Sequence, residues 1–198
     1  MNNREFFNNL AYKWDSMCHH DDNKIRRIID LSNVKEDSKI LDIGTGTGIL
    51  ISYLLEKLPK EIVAVDISEN MIEVAKSKYK DKNIKFVVTD IMDFYEGKFD
   101  YIFIYSAYPH FRDKEKLFNH LSKLLNKSGK VIIAHSQSRD EINHVHSKAE
   151  EVKEDVLLSA EENIKIINKY LKVDKSIDDA EMYYISAILW RYSKKLCG

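Results

Sequence analysis

Three aspartates recur at equal spacing: Asp42, Asp66 and Asp90, each 24 positions after the one before. Each lies at or near the end of a short apolar run: I-L-D-I from Ile40, I-V-A-V-D from Ile62 and I-K-F-V-V-T-D from Ile84. An acid at a strand end accepts hydrogen bonds from two neighbouring hydroxyls and needs no cation, which suits a ribose. Asp42 also opens the pattern D-x-G-x-G-x-G with Gly44, Gly46 and Gly48. Glycines reach positive φ and let a ligand lie against bare backbone. A glycine turn between strand and helix gathers N–H groups and a positive helix end at one point. The chemistry implied is a grip on a nucleotide-like ligand.

Other side chains suit the reacting end of such a site. His110 and His135 follow the fourth and fifth apolar runs, where an imidazole can serve as a base near neutral pH. Cys18 and His20 have C-x-H spacing, and His144 and His146 have H-x-H spacing downstream of His135. Together these five could ligate Zn²⁺ or a softer divalent metal. Ser136, Ser138, Arg139 and Asn143 offer a different use, anion binding with Arg139 as the fork for a carboxylate.

The elements needed to position these groups can be read in order. Strands are expected at 40–43, 61–66, 83–90, 99–105 and 130–135, with helices over 49–58, 69–80 and 114–125 between them. Asn126 to Gly129 form a turn. Further helices are expected over 140–154 and 157–171, and the last two apolar stretches form a β-hairpin ending at Tyr192. Alternating strands and helices make a parallel α/β sheet, whose ligands bind at the carboxyl ends of the strands. All three acids then share one rim. Upstream, Phe6, Phe7, Leu10, Tyr12 and Trp14 mark an amphipathic helix, and a second begins after a cap among Asp21, Asp22 and Asn23.

The pattern D-x-G-x-G-x-G, followed by acids at Asp66 and Asp90, resembles motif I and its downstream positions in the class I S-adenosylmethionine (SAM) dependent methyltransferases. A dinucleotide fold wants G-x-G-x-x-G, but Ile49 stands where the third glycine would fall. The resemblance covers roughly Asp22 to Tyr192 and implies a Rossmann-like, seven-stranded, mostly parallel sheet with helices on both faces and a C-terminal antiparallel hairpin. It implies SAM as cofactor, held by Trp14, Asp42, Gly44, Thr45, Gly46, Gly48, Asp66, Ile67, Met71, Asp90, Ile91 and Ser106. Ala11, Trp14 and Asp15 are similar to a motif of the ubiquinone/menaquinone C-methyltransferase-like branch, in which the N-terminal segment, here 1–22, forms a lid. Ser128 departs from the proline common in the family's turn before the fifth strand. Ser106-Ala107-Tyr108-Pro109 stands where N-P-P-Y would mark an amino-methylating enzyme of nucleic acids or protein glutamine.

Composition sets the outer bounds. A chain of 198 residues, 44% hydrophobic and 32% charged, is expected to be one domain with a sizeable core. A net charge of −1 argues against a general nucleic-acid binder, and no apolar run is long enough to span a bilayer. Cys18 and Cys197 lie far apart, so a reducing, cytoplasmic setting is expected. The leading expectation is methyl transfer from SAM to a small-molecule acceptor. A SAM- or metal-binding module without turnover and a nicotinamide-dependent oxidoreductase remain as alternatives.

Overall fold

A computed structural model of the chain describes residues 3–190. Arg191, Tyr192 and Cys197, drawn above into the last strand and the cysteine pair, lie outside the described residues. The strands are β1 (Lys39–Ile43), β2 (Glu61–Asp66), β3 (Ile84–Val88), β4 (Phe99–Tyr105), β5 (Leu125–His135), β6 (Lys172–Asp178) and β7 (Tyr183–Ile188). They form one seven-stranded sheet in the order β3-β2-β1-β4-β5-β7-β6. The first five are parallel, and β7 runs antiparallel to both β5 and β6, as the expected hairpin requires.

Near-continuous apolar runs form these strands because both faces of the sheet are covered. The helices are α1 (Asn3–Leu10), α2 (Trp14–Met17), α3 (Asp22–Ser32), α4 (Ile51–Leu55), α5 (Glu69–Lys78), α6 (Lys114–Leu124), α7 (Arg139–Ser147) and α8 (Ala160–Ile167). Leu41, Ile43, Val65, Ile104 and Ile133 bury one sheet face against Leu117, Phe118 and Leu121 of α6, Ile142 of α7 and Ile167 of α8. Ile40, Ile62, Phe103, Ile132 and Tyr184 bury the other against Ile25, Ile28 and Ile29 of α3 and Leu54 of α4. Strand order reverses between β1 and β4, so the crevice beyond their carboxyl ends is where such a sheet binds ligands.

Five expected helices are shorter in the structure, those over 69–80 and 114–125 only at their last residues and three others by more. The span 49–58 is helical only over Ile51–Leu55, because the glycine turn consumes its start and Leu58 takes a φ of 51°. The helix expected over 140–154 stops at Ser147. Beyond it the chain folds back, and Asn143 holds it by donating to the Leu157 carbonyl (3.0 Å) and accepting from the Leu157 N–H (2.8 Å). The next helix starts at Ala160 rather than 157, where Ser159 and Glu162 close a capping box. The turn at 126–129 survives as an interruption of pairing: Phe99 opposes Leu125, and Tyr101 opposes Lys130.

One buried amide ties the acceptor-side elements together. Asn163 is fully buried; it accepts from Tyr108 Oη (2.6 Å) and donates to Tyr183 Oη (2.8 Å) and the Leu158 carbonyl (3.1 Å). Replacing it with leucine strands two buried hydroxyls. Asn163→Leu should lose about 3 kcal/mol in urea denaturation, the scale of unpaired buried polar groups. A loss below about 1 kcal/mol would show that the two tyrosines find other partners.

Candidate functional site

The carboxyl ends of β1, β2 and β4 open into one cavity, whose wall includes Gly44, Thr45, Gly46, Asp66, Ile67, Met71, Asp90, Ile91, Ser106 and His110. The glycine turn forms one side. Gly44 has a φ of 65°, and a Cβ there would lie 2.6 Å from Ala107 Cβ, so nothing larger fits between the turns after β1 and β4. Gly46 has a φ of 55°, and a Cβ there would meet nothing nearer than Trp14 Nε1 at 4.0 Å, so this side of its backbone is open toward the cavity.

Asp66 is the central acid. Its carboxylate accepts from the N–H of Gly46 (2.9 Å) and of Ser68 (2.9 Å), joining the glycine turn to the start of α5. Burial pushes its carboxyl up despite these donors and the nearby His110. Two carboxylate oxygens offer about four acceptor sites, so capacity remains for hydroxyl donors in the cavity. Ser68 caps α5 by accepting from the Met71 N–H (3.1 Å). Met71 and Ile91 are both buried at the wall, and Ile67 stands beside them, giving an apolar slot for a planar ring. Asp90 lies exposed at the slot's edge and accepts from the Met92 N–H (2.9 Å).

Asp42 and Gly48 are expected cofactor residues that do not line the cavity. Asp42 is 2% exposed and lies beneath the glycine turn, where Thr45 Oγ1 donates to it at 2.6 Å. Burial pushes its carboxyl up to about 7, the Thr45 bond opposes that rise, and the nearby Asp66 adds to it. A Cβ at Gly48 would meet Tyr79 at 2.8 Å, so this glycine serves packing of the turn.

The N-terminal segment covers the cavity from outside. Phe7 and Trp14 reach its wall, with their rings edge to face at 5.6 Å. Asn8 accepts from Ser68 Oγ (2.6 Å) and the Asn70 N–H (3.2 Å), and Tyr12 donates to Glu73 (2.8 Å). Asp15 pairs with Lys78 (2.5 Å) and accepts from Thr47 Oγ1 (2.5 Å). The cover is therefore pinned to α5 and to the glycine turn by polar contacts at its edges.

On the acceptor side, β4 turns sharply through Ser106, whose φ of 52° is strained for a residue with a Cβ. Lys114 then clamps the loop by donating to the carbonyls of Tyr108 (2.8 Å), Pro109 (3.1 Å) and Phe111. Burial pushes its ammonium down to about 8, against the pull of Asp155. The loop presents His110, whose Nδ1 lies 2.8 Å from the Asp155 carboxylate. His20 also reaches the wall; its ring hydrogen-bonds Tyr105 Oη at 2.9 Å, and that hydroxyl donates to Ser136 Oγ at 2.9 Å.

Several expected residues take other parts. His135 is 1% exposed, does not line the cavity, and has no hydrogen-bond partner for either ring nitrogen. Burial pushes its imidazole down to about 3, so it stays neutral at ordinary pH. The expected metal ligands do not converge: among the described residues, no group of three or more His, Cys, Asp or Glu is placed to hold a metal ion. His20 is engaged by Tyr105, His146 Nδ1 lies 2.6 Å from the Asp155 carbonyl oxygen, and His144 is exposed on α7. Cys18 opens on a neighbouring cleft beside His19 and Lys78. The expected anion fork is committed elsewhere, since Arg139 faces Asp178 (3.4 Å) and Asp140 (3.7 Å). Ser138 caps α7, and Asn143 holds Leu157. Asp155 was missed in the sequence, whereas Phe7 was read into the N-terminal amphipathic helix by its spacing. Asp155 comes from an irregular segment, where spacing carries no signal.

Comparison with known proteins places this geometry. A family model described as a methyltransferase domain matches residues 34–185. A malonyl-[acyl-carrier protein] O-methyltransferase of Ilyobacter polytropus is 39% identical over 100 residues, 49% of this chain and 37% of that one. The chain thus spans less than two thirds of that relative's length. Among solved structures, a Haloferax volcanii methyltransferase, described as putative and complexed with the activator Trm112, aligns over 96% of this chain and 98% of its own. Its TM-score is 0.83 at 16% identity. The N-methyltransferase NodS of Bradyrhizobium japonicum, solved with S-adenosylhomocysteine, covers 85% of this chain and 87% of its own with a TM-score of 0.69 at 18% identity. Among the described residues, no helix is long and apolar enough to cross a membrane.

The buried Asp42 carries a pH signature. Its folded pKa of about 7 lies above that of an unfolded aspartate, so its carboxyl favours the fold while protonated. That contribution is complete below about pH 4 and is lost as pH rises through 7. Asp42→Asn keeps an acceptor for Thr45 and cannot ionise. In thermal melts the variant should gain on the wild type from pH 5 to about pH 7 and level off above it. A difference that stays flat with pH would mean Asp42 ionises freely in the fold.

Proposed function

Because the chain belongs to the class I SAM-dependent methyltransferase family, we propose that it transfers the methyl group of SAM to a small-molecule acceptor. The observation that carries the reading is the Asp66 carboxylate, held at the cavity wall between the Gly46 and Ser68 N–H groups with acceptor capacity to spare. Two ribose hydroxyls would donate to it. The adenine would lie in the slot of Ile67, Met71 and Ile91, with Asp90 at its amino edge. The bare backbone of Gly46 and the indole of Trp14 leave the space between them for the rest of the cofactor. These residues fit SAM chemically, and Asp42 and Gly48 support the turn from behind.

SAM supplies an electrophilic methyl group on a sulfonium that leaves readily as a thioether. The protein's share is alignment, exclusion of water and disposal of a proton. Residues 3–17 serve as a lid, with Phe7 and Trp14 as its inner face. His110 is the base, because it lines the cavity and His135 does not. An aromatic enclosure of Phe7, Trp14, Tyr105 and Phe111 suits a small acceptor better than a polymer. No metal enters the proposal, since the ligand set expected from sequence is dispersed.

Calorimetry with SAM, S-adenosylhomocysteine and NAD should show uptake of the first two only. Asp66→Asn should weaken S-adenosylhomocysteine about 10²-fold, as expected when charge-assisted hydrogen bonds are lost. A panel of small hydroxyl and amino compounds with radiolabelled SAM then reports turnover. NAD uptake would favour an oxidoreductase. SAM uptake without transfer to any compound would favour a binding module.

A further inference from the structure

One more buried carboxylate stands beside the cavity, and no strand end marks it. Asp155 is 6% exposed and lies in the irregular segment between α7 and α8. Its Oδ2 is 2.8 Å from His110 Nδ1, and its backbone carbonyl oxygen is 2.6 Å from His146 Nδ1. A carboxylate and a carbonyl only accept, so each ring carries its proton on Nδ1. In a neutral imidazole that leaves Nε2 as a lone pair. The two rings lie 5.1 Å apart between centroids, and Phe7 of the lid meets the His110 ring edge to face at 5.1 Å. His110 is therefore held on three sides, and it lines the cavity.

We propose that Asp155 is the positioning residue that fixes His110 in the Nδ1–H tautomer, so that Nε2 receives the proton of a hydroxyl or ammonium acceptor. The inference rests on the methyl-transfer reading and narrows it to protic nucleophiles. The step balances: the acceptor's X–H bond breaks with its proton passing to Nε2, and the freed lone pair bonds the methyl carbon. The pair of the broken C–S bond stays on sulfur. Asp155 remains a carboxylate and faces an imidazolium instead of an imidazole.

The surrounding charges agree with that assignment. Burial alone would push the Asp155 carboxyl up, but the hydrogen bond and charge of His110, aided by His146 and Arg112, hold it below the usual range. His110 in turn acts on Asp66 at the end of β2, opposing the rise that burial causes there. Lys114 of α6 also borders this group, its ammonium donating to three carbonyls of the loop. The other imidazoles add little positive charge: burial pushes His146 down and His135 down to about 3. His110 is the ring in this group that combines a buried carboxylate partner with access to the cavity.

The test needs no loaded enzyme. Nitrogen-15 NMR of the labelled full chain reads each imidazole tautomer from its ring nitrogens. The wild type and Asp155→Glu should show His110 protonated on Nδ1, and Asp155→Asn should move that proton to Nε2. On the compound that turns over fastest in the methyl-transfer panel, Asp155→Asn should lower kcat/KM about 10²-fold or more and alter its acid limb. Its calorimetric affinity for S-adenosylhomocysteine should match the wild type. An Nε2–H tautomer in the wild type, or an unchanged tautomer and rate in Asp155→Asn, overturns the assignment. Failure of the wild type to bind S-adenosylhomocysteine would instead overturn the methyl-transfer reading, whatever the tautomer.

Discussion

The Asp66 carboxylate is the constraint on which the cofactor half of the molecule depends. One oxygen takes the Gly46 N–H and the other the Ser68 N–H, so one side chain joins the glycine turn after β1 to the cap of α5 after β2. Such bonds to an ionised acceptor are stronger than neutral ones and are short in range, which fixes the spacing of the two elements. The lid is built on the same joint, because Asn8 takes its hydrogen bonds from Ser68 and Asn70. Asp42, buried below, holds Thr45 in the turn. A negative charge kept in so enclosed a place is costly by itself, and burial pushes both acids up. A cationic ligand that donates hydroxyl hydrogens relieves that cost. The site is thus poised in charge as well as in shape.

The cofactor half was legible because it is local. Strand, glycine turn and acid lie within a few residues of one another, and the parallel sheet repeats that unit at a common rim. Sequence spacing therefore maps directly onto Asp66, Asp90 and the turn. The reading failed where a strand's alternation hides a side chain beneath the rim, as it does Asp42. The second limit was helix length. The segments around Ser138 and Ser159 each carry a serine followed three residues later by glutamate, and both close capping boxes. Weighing those signals would have started the last helix at Ala160 and not at Leu157. Nothing local ends α7 at Ser147; a side chain paired with a distant backbone, Asn143 with Leu157, does that.

On the other side of the cavity His110 and the N-terminal helix were legible, but the partners that aim them were not, for the opposite reason. Phe7, His20, His110 and Asp155 belong to four separate elements, and only the closed fold brings them together. Histidine spacing misled for a related reason. C-x-H and H-x-H describe neighbours along the chain, yet each ring here is aimed by a partner remote in sequence. Tyr105 takes His20, and the Asp155 segment takes both His110 and His146. Each partner turns its ring in its own direction, so among the described residues no three of these side chains are placed around one ion. His135 fails differently, since it lies on the sheet face opposite Tyr105, sealed among side chains of that face.

The two halves meet in their electrostatics. Asp66 and Asp90 stand at the wall on the cofactor side, and Asp155 backs His110 on the acceptor side. In the proposed reaction, methyl transfer to a protic nucleophile would remove a positive charge from one end of the cavity and create one on the base at the other. Asp66 and His110 already act on each other across that distance. Under that proposal the charge would shift between two ends of the cavity that each carry a carboxylate, Asp66 at one and Asp155 at the other. A neutral frame would stabilise neither end, and a single buried acid would stabilise only one. If the proposed reaction takes place there, carboxylates on both sides of it, under the cover of the N-terminal segment, would act at short range where solvent would otherwise screen them.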